Sequence, residues 1–124
     1  MDEEYLDWCY PPIIQSNGQY DLKPSAMSDE QHLSSGVIIS SLGVRYKSYC
    51  SNITRTYMID PSKEKEKAMT ILIDCHAHII RKMVPGITLS QLYNEATQFL
   101  AKSDMPTLQS HFYKNMGFLV FPFS

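Results

Sequence analysis

The sequence contains no apolar run that approaches the ~20 residues needed to span a membrane. Its N-terminus is acidic and has no basic region followed by an apolar stretch, so we expect no targeting signal. The three cysteines, Cys9, Cys50 and Cys75, have no metal-binding spacing. An odd number of cysteines without a secretory signal favours a reducing compartment. These absences argue against a membrane protein and against a secreted domain held together by disulfides.

Clusters of basic residues are also absent. The formal net charge is −2, and the densest charged run, residues 63–67, alternates Lys and Glu. Binding to the phosphate backbone of nucleic acids depends on clustered Lys and Arg. We therefore expect no direct sequence-specific contact with nucleic acid. The chain also has no Gly-rich phosphate loop, no G-x-S-x-G motif and no H-E-x-x-H motif.

The composition is that of a folded domain: the chain has 124 residues, of which 44% are hydrophobic and 19% are charged. Residues 13–15 and 36–42 predict strands, and a further strand rich in Thr, Tyr and Ile covers residues 49–58. The region around Gly43 and residues 45–48 allows the chain to reverse. Residues 36–58 therefore predict a β-hairpin.

Two helices are predicted after the hairpin. The first begins after Asp60-Pro61-Ser62 and ends before Pro85-Gly86. Thr88 is the expected N-cap of the second, with Gln91 as its capping-box partner. The expected apolar faces are Ala68, Leu72, Cys75, Ile79 and Met83 in the first helix, and Leu89, Leu92, Tyr93, Ala96, Phe99 and Leu100 in the second. Residues 112–123 could form a last strand. Strands grouped before helices predict an α+β fold, an antiparallel sheet with helices packed on one face.

Ser41 and Asn52 are the residues of the hairpin that bear most on chemistry. If the chain reverses near Tyr46-Lys47, these two residues become cross-strand neighbours, with Cβ atoms ~5 Å apart. Two carboxylates in these places could share a pair of metal ions. A hydroxyl and a carboxamide are neutral, however, and divalent ions need anionic oxygen or imidazole ligands. The hairpin therefore predicts a metal-site geometry without metal ligands and without a cofactor.

Asp74 and His78 form a second candidate site. They are four residues apart on the first predicted helix, so their side chains can touch. A metal site there is the less favoured interpretation, because such a pair is usually a surface contact of a helix. Cys75 lies on the apolar stripe, which predicts an inert core thiol. We therefore expect no catalytic residue in this helix.

The segment Y-C-S-N-I-T-R-T-Y at residues 49–57 resembles the strand Y-C-S-D-[IL]-T-R-T-[FY] of the pita-bread metallopeptidases, which include prolidase, aminopeptidase P and, more distantly, methionine aminopeptidase. In those enzymes the first metal-binding Asp precedes the second by eleven residues. The resemblance places these two ligands at Ser41 and Asn52, where both are replaced.

Three longer segments carry a more specific resemblance: D-W-C-Y-P-P-I-I-Q-S at residues 7–16, R-Y-K-S-Y-C-S-N at residues 45–52 and R-T-Y-M-I-D-P at residues 55–61. They resemble the N-terminal, aminopeptidase-like domain of the large subunit of the FACT histone chaperone. This resemblance implies that residues 1–124 form a single domain, the first half of a pita-bread fold. The other metal ligands of the enzymes, one His and two Glu, would lie in the second half. We therefore expect a fragment whose apolar segment 118–123 needs a partner.

The function implied by this resemblance is that of a non-enzymatic binding module. The module would be part of a histone chaperone in the nucleus, on the chromosome, and would bind core histones or their tails. The second FACT subunit would bind through regions outside this chain. Basic histone segments would favour contacts with the acidic residues Asp2, Glu3, Glu4 and Asp7. A solvated chain end is the simpler interpretation of these residues. Two alternatives remain, a prolidase-type metallopeptidase, which the missing ligands disfavour, and a purely structural scaffold lobe.

Overall fold

The computed structural model describes residues 5–16, 18–23, 25–30, 32–33 and 36–113. Within these residues, six strands precede three helices. The strands are β1 (Leu6–Trp8), β2 (Ile13–Gln15), β3 (Gly36–Leu42), β4 (Val44–Tyr46), β5 (Tyr49–Cys50) and β6 (Ile53–Ile59). The helices are α1 (Lys63–Lys82), α2 (Leu89–Ala101) and α3 (Leu108–His111). This order confirms the predicted α+β class.

The described residues form two compact units. All strands lie in the first unit, which extends to Pro61, and all helices lie in the second, which begins at Ser62. No helix in the described part of the chain combines the length and the apolar character that a membrane crossing requires.

The described part of the first unit contains two three-stranded antiparallel sheets, where one antiparallel sheet was expected. One sheet has the order β1-β4-β5 and the other the order β2-β3-β6. The hairpin predicted for residues 36–58 contributes to both, because its base (β3 and β6) belongs to one sheet and its tip (β4 and β5) belongs to the other. β1 was not expected, since the acidic residues in and before it were interpreted as a solvated chain end.

The reversal of the hairpin occurs at Lys47 and Ser48, between β4 and β5. Both residues have positive φ angles, 46° and 69°. Positive φ at both central residues is the feature of type I′ turns, whose twist suits antiparallel strands. The usual Asn-Gly signal of such turns is absent here, so the sequence indicated a reversal without defining its register.

The two long helices of the second unit, α1 and α2, have side-chain caps at their N-termini. The Ser62 hydroxyl accepts a hydrogen bond from the Lys65 backbone N–H at 3.3 Å and caps α1. The Thr88 hydroxyl accepts from the Gln91 backbone N–H at 3.2 Å, and the Gln91 side chain accepts from the Thr88 backbone N–H at 2.8 Å. This reciprocal pair is the predicted capping box. Both helix starts therefore follow from local sequence signals.

The core of the second unit joins the apolar faces of α1 and α2. Its buried residues are Cys75, Ile79, Leu92, Ala96 and Leu100. Three residues expected in the core are exposed instead, namely Leu72, Met83 and Leu89. Met83 and Leu89 lie at helix ends, where side chains have fewer neighbours, and Ile71 packs against the core in place of Leu72.

Only part of the C-terminal segment in which a strand was predicted, residues 112–123, lies within the described residues. A short helix, α3, follows the break near Pro106, and residues 112 and 113 are not in a strand. The rest of the strand predicted for residues 112–123, including the apolar segment 118–123, lies outside the described residues.

Candidate functional site

Four polar side chains meet at the junction of β3 and β6. Ser41 opposes Thr54 across the two strands, and their hydroxyl oxygens are 2.9 Å apart. The Tyr10 hydroxyl lies 3.1 Å from the Ser41 hydroxyl oxygen and donates a hydrogen bond to the Asn52 side-chain carbonyl. Tyr10 comes from the segment between β1 and β2, so three parts of the chain contribute. We call Tyr10, Ser41, Asn52 and Thr54 the hydroxyl cluster.

The register within the cluster differs from the expected one. Ser41 was expected to oppose Asn52, but its direct partner is Thr54. The turn at Lys47-Ser48 is centred one residue later than the expected turn at Tyr46-Lys47, and moving a turn by one residue shifts every cross-strand pairing by two. Asn52 lies one residue before β6, and the Tyr10 hydroxyl links its side chain to that of Ser41.

Gly43 makes the position of Tyr10 possible. A Cβ atom on Gly43 would lie 2.1 Å from the Ser51 carbonyl oxygen and 3.1 Å from the Tyr10 ring. Any side chain larger than hydrogen would therefore collide with the opposite strand. The close approach of the two strands and the ring of Tyr10 together fill the space that a side chain would occupy.

The hydroxyl cluster does not fit a divalent metal ion. It offers three hydroxyls and one carboxamide, all neutral, whereas Mn²⁺, Co²⁺ or Zn²⁺ needs anionic or imidazole ligands to offset dehydration. In addition, the Tyr10 hydroxyl hydrogen-bonds the side chains of both Ser41 and Asn52. Among the residues that the structure describes, no group of three His, Cys, Asp or Glu side chains is placed to hold a metal ion.

His78, the second candidate, pairs with the neighbouring helix. Its Nε2 atom lies 3.0 Å from the Glu95 carboxylate of α2, not against Asp74 as the sequence suggested. Lys82 is 3.5 Å from the same carboxylate, and the rings of His78 and Phe99 are 5.1 Å apart. The hydrogen bond from His78 lowers the pKa of Glu95. These contacts describe a structural link between α1 and α2.

Asp7 is the one predicted acidic contact within the described residues. Its carboxylate lies 2.8 Å from the Arg45 guanidinium, which belongs to the residue directly opposite on β4. Both side chains are largely exposed, and such surface pairs typically contribute ~0–1 kcal/mol. Asp2, Glu3 and Glu4 lie outside the described residues.

The cysteines divide into two kinds. Cys75 is 2% exposed, and burial raises the pKa of its thiol, as expected for an inert core thiol. Cys9 and Cys50 are partly exposed and free. Sequence reasoning did not connect these two residues, because their neighbourhood depends on the pairing of β1, β4 and β5.

Comparison with known proteins identifies the family to which this fold belongs. The model of metallopeptidase family M24 matches residues 1–121. The chain belongs to metallopeptidase family M24. This M24 chain is 48% identical over 115 residues to FACT complex subunit SPT16 of Dictyostelium discoideum, covering 93% of the chain and 11% of that protein. It is 46% identical over 122 residues to FACT complex subunit SPT16 of Candida albicans, covering 97% of the chain and 11% of that protein.

Solved structures give the same result. The M24 chain matches the N-terminal domain of FACT complex subunit SPT16 from Eremothecium gossypii with a TM-score of 0.85 and 44% identity, over 93% of the chain and 26% of that structure. It matches X-Pro aminopeptidase from Thermotoga maritima with a TM-score of 0.68 and 24% identity, over 81% of the chain and 29% of that structure. The second likeness shows the fold alone. The predicted pita-bread fold and the resemblance to the FACT large subunit are confirmed.

Proposed function

We propose that this M24 chain is a non-enzymatic module of a histone chaperone that reorganises nucleosomes during transcription, replication and repair. The hydroxyl cluster is the observation that carries the non-enzymatic part. The likeness to the SPT16 N-terminal domain over 93% of the chain supports the chaperone part. Because the chain spans only 11% of its SPT16 relatives, the activity of the whole protein is part of this proposal.

The chemistry of the cluster explains why hydrolysis is disfavoured. Metal-dependent peptidases of this fold need a metal ion to lower the pKa of the attacking water. Here the positions that resemble the first two metal ligands, Ser41 and Asn52, carry no charge and are hydrogen-bonded to Tyr10. A peptidase-like fold that has lost its ligands keeps exposed strands and loops on which a peptide can bind.

The proposed partners are core histones or their basic tails. Asp7 is engaged with Arg45, so it offers only a partly neutralised carboxylate, and we do not assign the binding to it. Within the proposed assembly, the second FACT subunit binds through regions outside this chain. The proposed location is the nucleus, on the chromosome, and residues 1–124 form the N-terminal portion of a larger pita-bread domain.

The binding role can be tested by titrating the labelled chain with core histones and with tail peptides at two salt concentrations. We expect saturable binding. A scrambled tail peptide of equal charge is the matched control, because purely electrostatic attraction would bind both peptides alike and would weaken equally with salt. Absence of saturable binding at the lower salt concentration would favour the scaffold-lobe alternative.

The enzymatic alternative is tested separately. The chain is incubated with Mn²⁺, Co²⁺ or Zn²⁺, its bound metal is measured after desalting, and cleavage of a prolyl dipeptide is followed. We expect no stoichiometric metal and no cleavage. Turnover that a chelator abolishes and added metal restores would overturn the proposal.

A further inference from the structure

The sheet β2-β3-β6 has one covered edge and one open edge. Its outer strands are β2 and β6. A neighbouring segment covers β2, because the Ile14 backbone N–H donates to the Ser28 hydroxyl at 2.9 Å and the Asp29 backbone N–H donates to the Ile14 carbonyl at 3.0 Å. Within the residues that the structure describes, no backbone group of another segment hydrogen-bonds to the outer side of β6.

The alternation of the ladder shows which backbone groups lie on the open edge. Consecutive residues of an antiparallel strand direct their N–H and C=O groups to opposite sides. The groups of Ile14 point away from β3, so those of Ser40, which opposes Ile14, point to β6 and to its partner Arg55. Every second residue of β6 then points its N–H and C=O groups outward. We call these outward groups the free edge of β6: Thr54, Thr56 and Met58.

Two side-chain contacts agree with this assignment. The Arg55 guanidinium donates to the Thr54 carbonyl at 2.9 Å, which supplies a partner to one outward carbonyl. The Ser41 and Thr54 hydroxyl oxygens are 2.9 Å apart. Side chains come closest at pairs that do not exchange backbone hydrogen bonds, so the backbone groups of Thr54 point away from Ser41.

The free edge carries little protection against pairing. Natural edge strands are guarded by Lys, Pro or bulges, whereas the sequence of β6, I-T-R-T-Y-M-I, has no Lys or Pro and a single charge at Arg55. The side chains of Ile53, Tyr57 and Ile59 are exposed on one face of the strand. An open edge with exposed apolar side chains is a template for another strand.

We infer that β6 pairs antiparallel with β6 of a second copy of this chain, about a two-fold axis at Thr56. Directly opposed residues share a face, so such an axis must pass through a residue pair rather than between residues. Thr56 is the middle residue of Ile53–Ile59, so this register uses the whole strand. Pairing ends there, because Asp60 has a φ of 49° and Pro61 has no N–H.

The backbone groups of the free edge are complementary in this register. Thr56 opposes Thr56 of the second copy, and Thr54 opposes Met58 in both directions. Each of these pairs exchanges two N–H···O=C hydrogen bonds, as in any hydrogen-bonded pair of an antiparallel ladder. The two three-stranded sheets then form one continuous sheet.

The side chains are complementary as well. Ile53 opposes Ile59 of the second copy, and Arg55 opposes Tyr57, a pairing that allows a cation–π contact. No like charges face each other. A basic peptide on the same edge would instead place its positive charges beside Arg55, which favours a second copy as the occupant. The inference concerns association of the chain with itself, and it stands or fails independently of histone binding.

The test measures the mass of the chain by sedimentation equilibrium over a concentration series. A single strand edge is small beside the ~1,200–2,000 Å² of stable complexes, so we expect a reversible dimer that dissociates on dilution. Thr56→Pro removes an outward N–H and leaves the ladder to β3 intact, because proline is tolerated where the N–H of an edge strand faces solvent. We expect it to weaken the dimer about tenfold or more, through the loss of two hydrogen bonds.

A charge exchange tests the two-fold axis directly. Thr56→Lys or Thr56→Glu places like charges opposite each other, so we expect each variant alone to be monomeric. An equimolar mixture of the two should dimerise again, because opposite charges then meet at the axis. Gln98→Lys is the matched control, since Gln98 is exposed on α2 and the change adds the same charge outside β6; it should dimerise like the wild type.

Amide hydrogen exchange, followed by NMR at low and high protein concentration, locates the interface. We expect the free-edge amides to exchange more slowly at high concentration, whereas the amides of Arg55 and Tyr57, which bond to β3, should not respond. Circular dichroism shows whether each variant folds. If one does not, the concentration series and the amide exchange of the wild type decide the question.

Four outcomes would overturn the inference. The wild type stays monomeric over the whole series, or Thr56→Pro and Thr56→Lys dimerise as strongly as the wild type. The free-edge amides do not respond to concentration although a dimer forms, which would place its interface elsewhere. A basic histone-tail peptide protects the free-edge amides of a chain that remains monomeric, which would assign this edge to a peptide.

Discussion

Replacing Tyr10 by phenylalanine removes the hydroxyl that joins the two ends of the hydroxyl cluster. The substitution keeps the aromatic ring that packs near Gly43, so it tests the hydrogen bonds rather than the packing. Two bonds are lost, to the Ser41 hydroxyl and to the Asn52 carbonyl. A hydrogen bond of this kind contributes ~0.5–1.5 kcal/mol net to stability.

The hydrogen-bond partners that remain after the substitution limit the loss of folding stability. Ser41 keeps its hydrogen bond to Thr54 at 2.9 Å, and Asn52 is exposed, so water can replace the lost donor. We therefore expect Tyr10→Phe to lower the free energy of unfolding of the first unit by about 1 kcal/mol, toward the low end of the range for two bonds. With a urea m-value of ~1–3 kcal/mol/M, the midpoint moves down by roughly 0.3–1 M.

Urea unfolding can be followed separately in the two units. Trp8 is the single tryptophan and lies in β1, so its fluorescence reports on the first unit. Circular dichroism at helical wavelengths reports mainly on the second unit, which contains the helices. Tyr49→Phe is the matched control, because Tyr49 is 82% exposed, and exposed substitutions change stability by about 0.5 kcal/mol or less.

A double-mutant cycle with Asn52→Ala isolates the contact itself. If Tyr10 and Asn52 interact as described, the double variant is more stable than the sum of the single effects predicts, by ~0.5 kcal/mol or more. The reasoning fails if Tyr10→Phe behaves like Tyr49→Phe and the cycle shows no coupling. In that case the hydrogen bonds of the cluster would not stabilise the hairpin. They could not then explain how neutral side chains maintain the structure at this site.

Three further predictions concern the rest of the chain. Gly43→Ala should destabilise the first unit toward the upper end of the ~1–3 kcal/mol cost of overpacking, because its Cβ would lie 2.1 Å from the Ser51 carbonyl oxygen; an unchanged Trp fluorescence midpoint would contradict this. Thr88→Ala removes a capping-box hydroxyl and should cost about 1 kcal/mol in helix unfolding, and no change would show that the cap is dispensable. The pKa of Glu95 is lowered in the folded state, chiefly by the hydrogen bond from His78. The contribution of Glu95 to folding stability is therefore fully present above the ordinary glutamate pKa of about 4.3, and it is lost as the pH falls through the folded-state value. Glu95→Gln should therefore be less stable than wild type at neutral pH and should approach it below that window; a pH-independent difference would rule out the ion pair as the cause.

Much of the secondary structure was predictable because its signals are local. Ser62 and Thr88 cap their helices through hydrogen bonds to residues three positions away, so the caps are visible in any short window of sequence. The strands at residues 13–15 and 36–42 follow from their β-branched residues. The apolar stripe of α1 was less accurate, since Leu72 and Ile71 are adjacent and the neighbouring helix decides which of them is covered.

The identity of two residues is enough to show what the candidate site lacks. The neutral side chains of Ser41 and Asn52 exclude a carboxylate pair whatever the fold, because chemical identity does not depend on structure. Which side chains meet in place of that carboxylate pair depends on the register of the hairpin. The turn at Lys47 and Ser48 sets a register two residues away from the expected one. Neither turn position is a Gly or an Asn, so the sequence carries no signal of where the turn lies.

The contacts that define the site also come from distant parts of the chain. Tyr10 is 31 residues from Ser41 and 42 residues from Asn52, and it reaches both because β1 and β2, on either side of it, pair with β4 and β3. Such encounters depend on backbone pairing across whole sheets, which a pattern within one segment does not encode. The sequence therefore determined the chemistry available at each position, and the pairing of the strands decided which positions share a site.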